Sequence, residues 1–131
     1  MTPFYTPISK TNQRVYISGP MTGMPNSNFT DFERVARIFR ESGWSVCNPV
    51  ETSIILGKLD HSDYMRFDFA RILEADLVVA LVGWSNSPGA LVEIHMALSM
   101  GTAVKTEANL RLTMTDLTAA ISADLTAAIS G

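Results

Sequence analysis

Residues 76–101, DLVVALVGWSNSPGALVEIHMALSMG, decide the fold. They begin with a Val and Leu run without polar alternation, which is typical of a strand covered on both faces, as in a parallel sheet between helices. A helix is predicted to follow over about residues 88–100. Ser87 suits its N-cap, Pro88 its first position and Gly101 the left-handed residue that ends it. A buried strand that passes directly into a helix indicates an α/β domain.

The segments before and after this stretch continue the same pattern. Three more strands are predicted at 14–18, 44–50 and 102–104, and two more helices at 30–43 and 61–75. At the start of the first helix, Thr30 and Glu33 have the spacing of a capping box. The order of elements predicts a doubly wound, flavodoxin-like or Rossmann-like α/β fold: a mostly parallel sheet of four to five strands with helices on both faces.

The chain divides into three predicted segments. Residues 1–13 form an N-terminal extension, 14–106 the α/β domain, and 107–131 a C-terminal helical tail. Within this tail, DLTAAIS occurs at 116–122 and again at 124–130. Its Ala and Leu content suits a helix that packs on the sheet edge or on another subunit. A locally duplicated or artificial tail is the alternative interpretation.

Composition excludes several classes of function. A formal net charge of −3 leaves no basic excess for wrapping long nucleic acid or docking on an anionic membrane, so any nucleotide partner is expected to be small. The single cysteine excludes an intrachain disulfide, and two His with no CxxC leave no zinc pattern. No stretch of 18 apolar residues or signal-peptide pattern is present, so we expect a cytoplasmic protein without a membrane partner.

One carboxylate lies on the wrong face of the predicted helix 88–100. With Glu93 at 0°, its helical neighbours are Ala97 at about 40° and Met100 at about 340°, and no Lys or Arg stands three or four residues away. Burying an unpaired carboxylate costs several kcal/mol or forces it to keep its proton. A functional role would explain this placement, and so would an ion pair across a subunit interface. From the order of elements, Tyr16 is the nearest candidate donor.

Other polar groups are predicted to converge on the same edge of the sheet. Asp68 leans toward the apolar side of the helix 61–75. Gly19 and Gly23 follow the first strand and allow close backbone approach to a ligand, although Gly-Pro turns are common. Ser85, Asn86 and Ser87 stand at the positive end of the helix 88–100, which favours an anion. Helix capping alone would also explain Ser87.

Three motifs resemble the nucleoside 2-deoxyribosyltransferase superfamily over about residues 14–104. They are VYISGPMTG at 15–23, DFARILEADLVVALV at 68–82 and SPGALVEIHMALSMG at 87–101. The first is similar to that superfamily's opening strand and substrate loop, the second carries an active-site Asp eight residues before another Asp, and the third holds the nucleophilic Glu. The whole pattern is most similar to a branch frequent in phage and bacterial genomes, and that branch implies no particular activity.

The resemblance implies an N-glycosidase that cleaves or transfers the glycosidic bond of a (deoxy)ribonucleoside 5-monophosphate. Glu93 would attack the anomeric carbon and form a covalent glycosyl-enzyme, with Tyr16 orienting it. Asp68 would hold the sugar hydroxyls or protonate the departing base. No metal or organic cofactor is expected, since protonation alone can activate the base.

The spacing of Ser87, six residues before Glu93, is similar to that in the branch that hydrolyses 2-deoxynucleoside 5-phosphates. The residues expected to bind substrate and phosphate are Ser87, Ser85, Asn86, Gly19, Pro20, Met21, Gly23 and Gly89. That superfamily shares its sites between subunits, so a homodimer or higher homo-oligomer is expected.

Two departures from the superfamily pattern support an alternative function. Thr22 stands where the hydrolases have a basic residue, and Leu91 and Val92 stand where they have a Gly before the Glu. A nucleotide-sensing or sequestering module would keep the pocket and lose the chemistry. A structural oligomerisation domain driven by the repetitive tail is a third hypothesis.

Overall fold

The chain forms four parallel strands and four α-helices in the computed structural model, which describes residues 13–108, 115 and 118–122. The strands are β1 (Arg14–Ser18), β2 (Ser45–Cys47), β3 (Leu77–Ala80) and β4 (Ala103–Thr106). The helices are α1 (Phe29–Glu41), α2 (Pro49–Leu56), α3 (His61–Glu74) and α4 (Pro88–Ser99). The second DLTAAIS copy and most of the predicted N-terminal extension lie outside the described residues, whereas 118–122 in the first copy are helical.

The sheet has the strand order β2-β1-β3-β4, and every pairing is parallel. From β1 the chain adds β2 on one side and then β3 and β4 on the other, so the strand order reverses between β1 and β3. In open α/β sheets ligands bind beyond the carboxyl ends of the strands at such a point. The predicted doubly wound parallel sheet is confirmed.

Two hydrophobic layers cover the sheet, one on each face. The layer that includes α1 contains Val15, Ile17, Phe32, Val35, Ala36, Val50, Leu77, Val79 and Leu81. The layer that includes α3 and α4 contains Tyr16, Ile72, Val78, Ala80, Ala90, Leu91, Ile94, Ala97 and Val104. Because strand side chains alternate between faces, Tyr16 and Val78 point to the α4 side while Val15 and Val79 point to the α1 side.

The predicted capping box at the start of α1 is wrong. The helix begins at Phe29, so Thr30 already lies inside its first turn and cannot serve as the N-cap. The N-cap is Asn28, which has φ +64° and makes no side-chain cap bond. Asn26 and Ser27 before it are also left-handed, and the Phe29 N–H donates to the Asn26 carbonyl. A left-handed turn thus sets the start of α1.

The second predicted strand is also wrong at its end, because a helix was missed there. The strand stops at Cys47, and Asn48 is the N-cap of α2, with its Oδ1 accepting from the Val50 N–H at 3.0 Å. Pro49 takes the first helical position, where no N–H bond is lost. The dipeptide that indicated the end of a strand is therefore also a helix start. Apart from Val50 after the proline, the apolar residues of α2 are three consecutive ones (54–56), so one apolar pair spaced by four is too little to indicate a helical period.

The helix that holds Glu93 forms as predicted. α4 starts at Pro88, the Ser87 hydroxyl accepts from the Ala90 N–H at 3.2 Å, and Gly101 has φ +79°. Within the described part of the chain, no helix is long and apolar enough to cross a membrane.

Candidate active site

Glu93 is held by two hydroxyl groups of β1. The Tyr16 hydroxyl donates to Glu93 Oε2 at 2.5 Å, and the Ser18 hydroxyl donates to Oε1 at 2.8 Å. Each carboxylate oxygen thus has its own neutral donor. The order of elements predicted the contact with Tyr16. The apolar face of α4 accommodates a carboxylate because the strand beneath it supplies these hydroxyls.

The alternation of β1 places both donors under α4. Tyr16 and Ser18 are two residues apart and so point to the same face, where both are fully buried. Ile94 and Ala97 of α4 are also fully buried and pack in the same layer, which fixes the helix on the strand. Glu93 itself is partly buried. Core packing on both sides therefore determines the position of its carboxylate.

Burial raises the pKa of Glu93 to about 7. The hydrogen bonds from Tyr16 and Ser18 oppose this rise because they stabilise the anion, while the nearby Asp68 adds to it. The pKa of Tyr16 is raised well above its usual value, first by burial and then by the Glu93 charge. Tyr16 therefore stays a neutral donor at physiological pH, and Glu93 changes charge within the physiological range.

Asp68 is the second carboxylate of the cluster. It is partly buried on α3, and among the described residues its buried Oδ1 has no hydrogen-bond partner. Burial raises its pKa to about 6. Asp68 lies close enough to raise the pKa of Cys47, which burial chiefly lifts to about 12. Its position on the helix thus correctly predicted a carboxylate on the side of α3 that lies near Tyr16 of β1.

The predicted anion-binding residues lie in the two loops at the carboxyl edge of the sheet. They are Gly19, Pro20, Met21 and Gly23 after β1, and Ser85, Asn86, Ser87 and Gly89 before and at the start of α4. Several already have structural roles. The Ser87 hydroxyl and carbonyl accept from the N–H groups of Ala90 and Leu91. A Cβ on Gly19 would lie 2.8 Å from the Leu81 Cβ, so packing alone requires a glycine there.

One amide of the first turn of α4 remains suited to a ligand. Pro88 has no N–H, and the Ala90 and Leu91 amides bond to Ser87, which leaves the Gly89 N–H without an intrahelical partner. A Cβ on Gly89 would meet no atom within 4 Å, so the space on the side-chain side of this residue is open. Ser87 precedes Glu93 by six residues, about 9 Å along the helix axis. A sugar phosphate can bridge such a separation.

A family model for a domain of unknown function, DUF4406, matches residues 13–106. The chain belongs to the DUF4406 family. No match was found among curated proteins.

Two solved structures resemble this DUF4406 chain. The CMP N-glycosidase BcmB of Clostridium botulinum is 26% identical, with a TM-score of 0.56 over 72% of this chain and 70% of the glycosidase. A 2-desoxiribosyltransferase from Leishmania mexicana is 17% identical, with a TM-score of 0.60 over 72% of this chain and 63% of the transferase. The chain therefore has the fold of the nucleoside 2-deoxyribosyltransferase-like superfamily, as its motifs predicted.

Ser18 and Glu107 were missed by the sequence analysis. The signal for Ser18 was its position two residues after Tyr16 on a strand, which places both hydroxyls on one face. Glu107 follows β4, and its Oε1 accepts from the Val82 N–H at 2.8 Å while Oε2 accepts from Arg34. It thus ties the start of the loop before α4 to α1. No local pattern in the sequence indicates this long-range contact.

The bulky residues before Glu93 point to other faces of α4. Leu91 packs in the core, and Val92 is 47% exposed. At 100° per residue, neither side chain shares the direction of Glu93. Thr22 is exposed in the loop after β1. Within the described ranges no group of three or more His, Cys, Asp or Glu residues is arranged to hold a metal ion.

Proposed function

We propose that this DUF4406 domain is an N-glycosidase that acts on a (deoxy)ribonucleoside 5-monophosphate, with Glu93 as the nucleophile. The observation that carries the proposal is the Glu93 carboxylate fixed by Tyr16 and Ser18 near Asp68, whose Oδ1 has no partner among the described residues. A retaining glycosidase uses two carboxyl groups whose pKa values differ because their environments differ. The likeness to a CMP N-glycosidase supports the same reaction class.

In the first step a carboxylate oxygen of Glu93 attacks the anomeric carbon of the sugar. The bond from this carbon to the base nitrogen breaks, its electron pair stays on the base, and a proton is delivered to the base as it leaves. Each Glu93 oxygen accepts one hydroxyl bond and keeps a further lone pair for the attack. Tyr16 and Ser18 hold the carboxylate in place throughout.

In the second step water attacks the same carbon and releases the sugar phosphate. The ester bond to Glu93 breaks, the carboxylate is restored, and the proton lost by water passes to the group that protonated the base. If a second base attacks instead of water, the result is transfer to that base. Hydrolysis and transfer thus share the first step and the same Glu93 ester.

Asp68 takes one of two roles, and the pH profile separates them. As the proton donor it must be protonated while Glu93 is ionised. With pKa values of about 6 and 7, the rate then follows a bell with its maximum near pH 6.5. As a carboxylate that binds sugar hydroxyls, Asp68 must be ionised, and the rate rises through about pH 7 to a plateau. The pH dependence of kcat/KM decides between the two.

The phosphate of the substrate is assigned to the loops at the carboxyl edge. The Gly89 amide and the positive end of α4 favour an anion there. The Ser87 hydroxyl keeps a lone pair and a proton free for the phosphate while it caps the helix. Ser85, Asn86 and the loop 19–23 complete this part of the site in the proposal.

The test is free-base release, measured by chromatography, from CMP and a panel of other ribo- and deoxyribonucleoside monophosphates and free nucleosides. We expect release from at least one monophosphate and its loss, by about three orders of magnitude or more, in Glu93→Ala. Glu41→Ala, which removes an exposed glutamate of α1, is the matched control and should retain activity. Release that survives Glu93→Ala would contradict the assignment of the nucleophile.

No release from any substrate, together with calorimetric binding of a monophosphate, would favour the nucleotide-sensing module. In that function Glu93 serves as a ligand for a ribose hydroxyl, and Glu93→Gln leaves binding nearly unchanged.

A further inference from the structure

A cleft of about 460 Å³ lies between α2 and α3, beside the edge strand β2. Its floor is formed by β1 and β2 and its walls by the two helices. None of Tyr16, Ser18 and Glu93 lines it, so the cleft is separate from the candidate active site. Its volume is within the range of small-molecule pockets.

Asn48 lines this cleft and carries a donor of fixed orientation. It is 2% exposed, and its Oδ1 accepts from the Val50 N–H at 3.0 Å. This bond fixes the orientation of the amide, because a flipped amide would set two donors against each other. The buried Nδ2 therefore points away from Val50, and it has no hydrogen-bond partner among the described residues. A buried donor without an acceptor is costly, which makes Nδ2 a strong candidate for ligand contact.

Arg71 lines the same cleft and carries a second donor. Its guanidinium lies 5.0 Å from the centre of the Phe67 ring, and one terminal nitrogen donates to Glu74 at 3.1 Å. These contacts hold the side chain against α3. The buried Nε has no hydrogen-bond partner within the described part of the chain. Two independently anchored side chains that line one cleft thus each carry an N–H group without a partner among the described residues.

The charged residues that line the cleft are two arginines, Arg14 and Arg71, and two glutamates, Glu51 and Glu74. Glu74 is shared between Arg71 at 3.1 Å and Arg14 at 3.9 Å. Glu51, the other carboxylate of the lining, is already paired with Arg40 of α1 by two hydrogen bonds of 2.6 and 2.7 Å. Within the lining, Glu74 is therefore the carboxylate that serves two guanidinium groups, so these groups can still attract a negatively charged ligand.

We infer that this cleft binds a small molecule with an oxyanion head, a carboxylate or a phosphate ester, attached to an apolar body. Asn48 Nδ2 and Arg71 Nε donate to the anion, because charge-assisted N–H bonds to oxyanions are among the strongest that proteins form. Phe67 and the 79% exposed Ile55 contact the body. An apolar wall beside two convergent donors is the usual construction of a small-molecule site.

The test uses two-dimensional ¹⁵N NMR of the full chain, in which the Asn48 side-chain amide and the Arg71 Nε–H give separate signals. The probes are benzoate, phenyl phosphate, inorganic phosphate and the neutral benzyl alcohol. We expect saturable shifts of both signals with benzoate or phenyl phosphate, and none with benzyl alcohol. Tighter binding of benzoate identifies a carboxylate ligand and tighter binding of phenyl phosphate a phosphate ester, whereas inorganic phosphate, which has no apolar body, should bind more weakly than phenyl phosphate.

Two matched variants link the shifts to the donors. Asn48→Asp keeps an oxygen for the Val50 N–H and replaces the Nδ2 donor by an acceptor, while Arg71→Lys keeps the charge and removes the Nε–H. Arg71→Lys should weaken binding by about tenfold, the worth of a charge-assisted hydrogen bond, and Asn48→Asp by more, because its carboxylate also repels the anion. Arg37→Lys, the same exchange at an exposed residue of α1, should leave binding unchanged.

Three results would overturn the inference. The first is the absence of saturable shifts at both signals with every probe, because the donors are then satisfied by water alone. The second is equal shifts with benzyl alcohol, because the cleft then selects only apolar groups. The third is full affinity in a folded Arg71→Lys variant, which carries the test by itself if Asn48→Asp does not fold.

Discussion

The candidate active site has two halves that are built from different parts of the fold. The carboxylate half consists of Tyr16, Ser18, Asp68 and Glu93, and the anion half consists of residues 19–23 and 85–89. The hydroxyl donors of the carboxylate half are fully buried in β1, and its carboxylates lie on helices that pack against this strand. The anion half consists of loops at the edge of the sheet, where no residue is fully covered by the core.

The two halves differ in whether the fold itself requires their residues. Ser87 caps α4 and Gly19 avoids Leu81, so both have structural reasons to be present. Glu93 accepts from the buried hydroxyls of Tyr16 and Ser18, but apolar side chains at all three positions would satisfy the fold without any cost of burying charge. A polar group that the fold does not need is therefore stronger evidence for function than one that the fold also uses.

The largest expected effect is the stability gained when Glu93→Gln removes the charge from the carboxylate half. Burial raises the pKa of Glu93 from 4.5 to about 7, so the folded state holds its proton more tightly than the unfolded state. The protonated Glu93 carboxyl therefore stabilises the folded state fully at pH values below its unfolded pKa of 4.5, and this stabilisation is lost as the pH rises through about 7. At pH 8 the variant should be more stable by about 3 kcal/mol, and near pH 4 the difference should vanish.

Urea denaturation at both pH values measures this difference. Glu41→Gln on the exposed side of α1 is the matched control and should change the free energy of unfolding little at either pH. The same gain at pH 4 and pH 8 would show that charge burial does not distinguish Glu93.

The next effect concerns the two hydroxyl donors. Ser18→Ala and Tyr16→Phe each remove a hydrogen bond that stabilises the Glu93 anion, so each should raise the pKa of Glu93 further, by about one unit. Titration of the Glu93 carboxyl carbon by ¹³C NMR measures the pKa directly. Ser99→Ala, an exposed serine on the same helix, should leave it unchanged. A pKa that falls or stays constant in both donor variants would mean that β1 does not keep Glu93 ionised.

The sequence predicted most of the fold because its buried elements carry strong patterns. The apolar run of β3 and the cap, proline and glycine around α4 each indicate one structure. The pattern failed at α2, where Asn48 and Pro49 fit both the end of a strand and the start of a helix. It also failed at the start of α1, which depends on three left-handed residues before Phe29 rather than on a capping side chain.

For the site, helical position identified the two carboxylates but not all of their partners. Glu93 and Asp68 were visible because a charge on an apolar face breaks the period of a helix. Ser18 was not, because a serine at the end of a short strand resembles any loop-forming residue. The roles of the residues in the anion half stay predictions, since their sequence signals are the same as those of ordinary caps and turns.

A smaller effect separates capping from phosphate binding in the anion half. Ser87→Ala removes the bond from the Ala90 N–H and should cost about 1 kcal/mol in the free energy of unfolding. Ser87→Asp keeps the cap and this stability, but its charge should repel a phosphate and raise KM for a monophosphate without raising it for the free nucleoside. Urea denaturation and KM values for the two substrates provide the readouts. Unchanged KM for the monophosphate in Ser87→Asp would remove Ser87 from the phosphate site.

The smallest effect is expected at Glu107, which holds the loop before α4. Glu107→Gln keeps an oxygen for the Val82 N–H and loses only the ion pair with Arg34, whose side chain is 51% exposed. Such a pair contributes little, so the free energy of unfolding should change by less than about 0.5 kcal/mol. Glu107→Ala also removes the acceptor, and the Val82 amide should then exchange its hydrogen faster than in Glu107→Gln.

The amide exchange rates decide how the anion half is held. Faster exchange in Glu107→Ala alone means that one side-chain acceptor orders the loop, whatever the charge of the residue. Equally faster exchange in both variants means that the ion pair between Glu107 and Arg34 of α1 orders the loop. The difference in exchange rate from the unchanged protein should then become smaller as salt is added. In the first case both halves are held in the same way, because in each a polar group is fixed by a hydrogen bond to a neighbouring element. In the second, only the carboxylate half is independent of salt, since its donors are buried neutral hydroxyls.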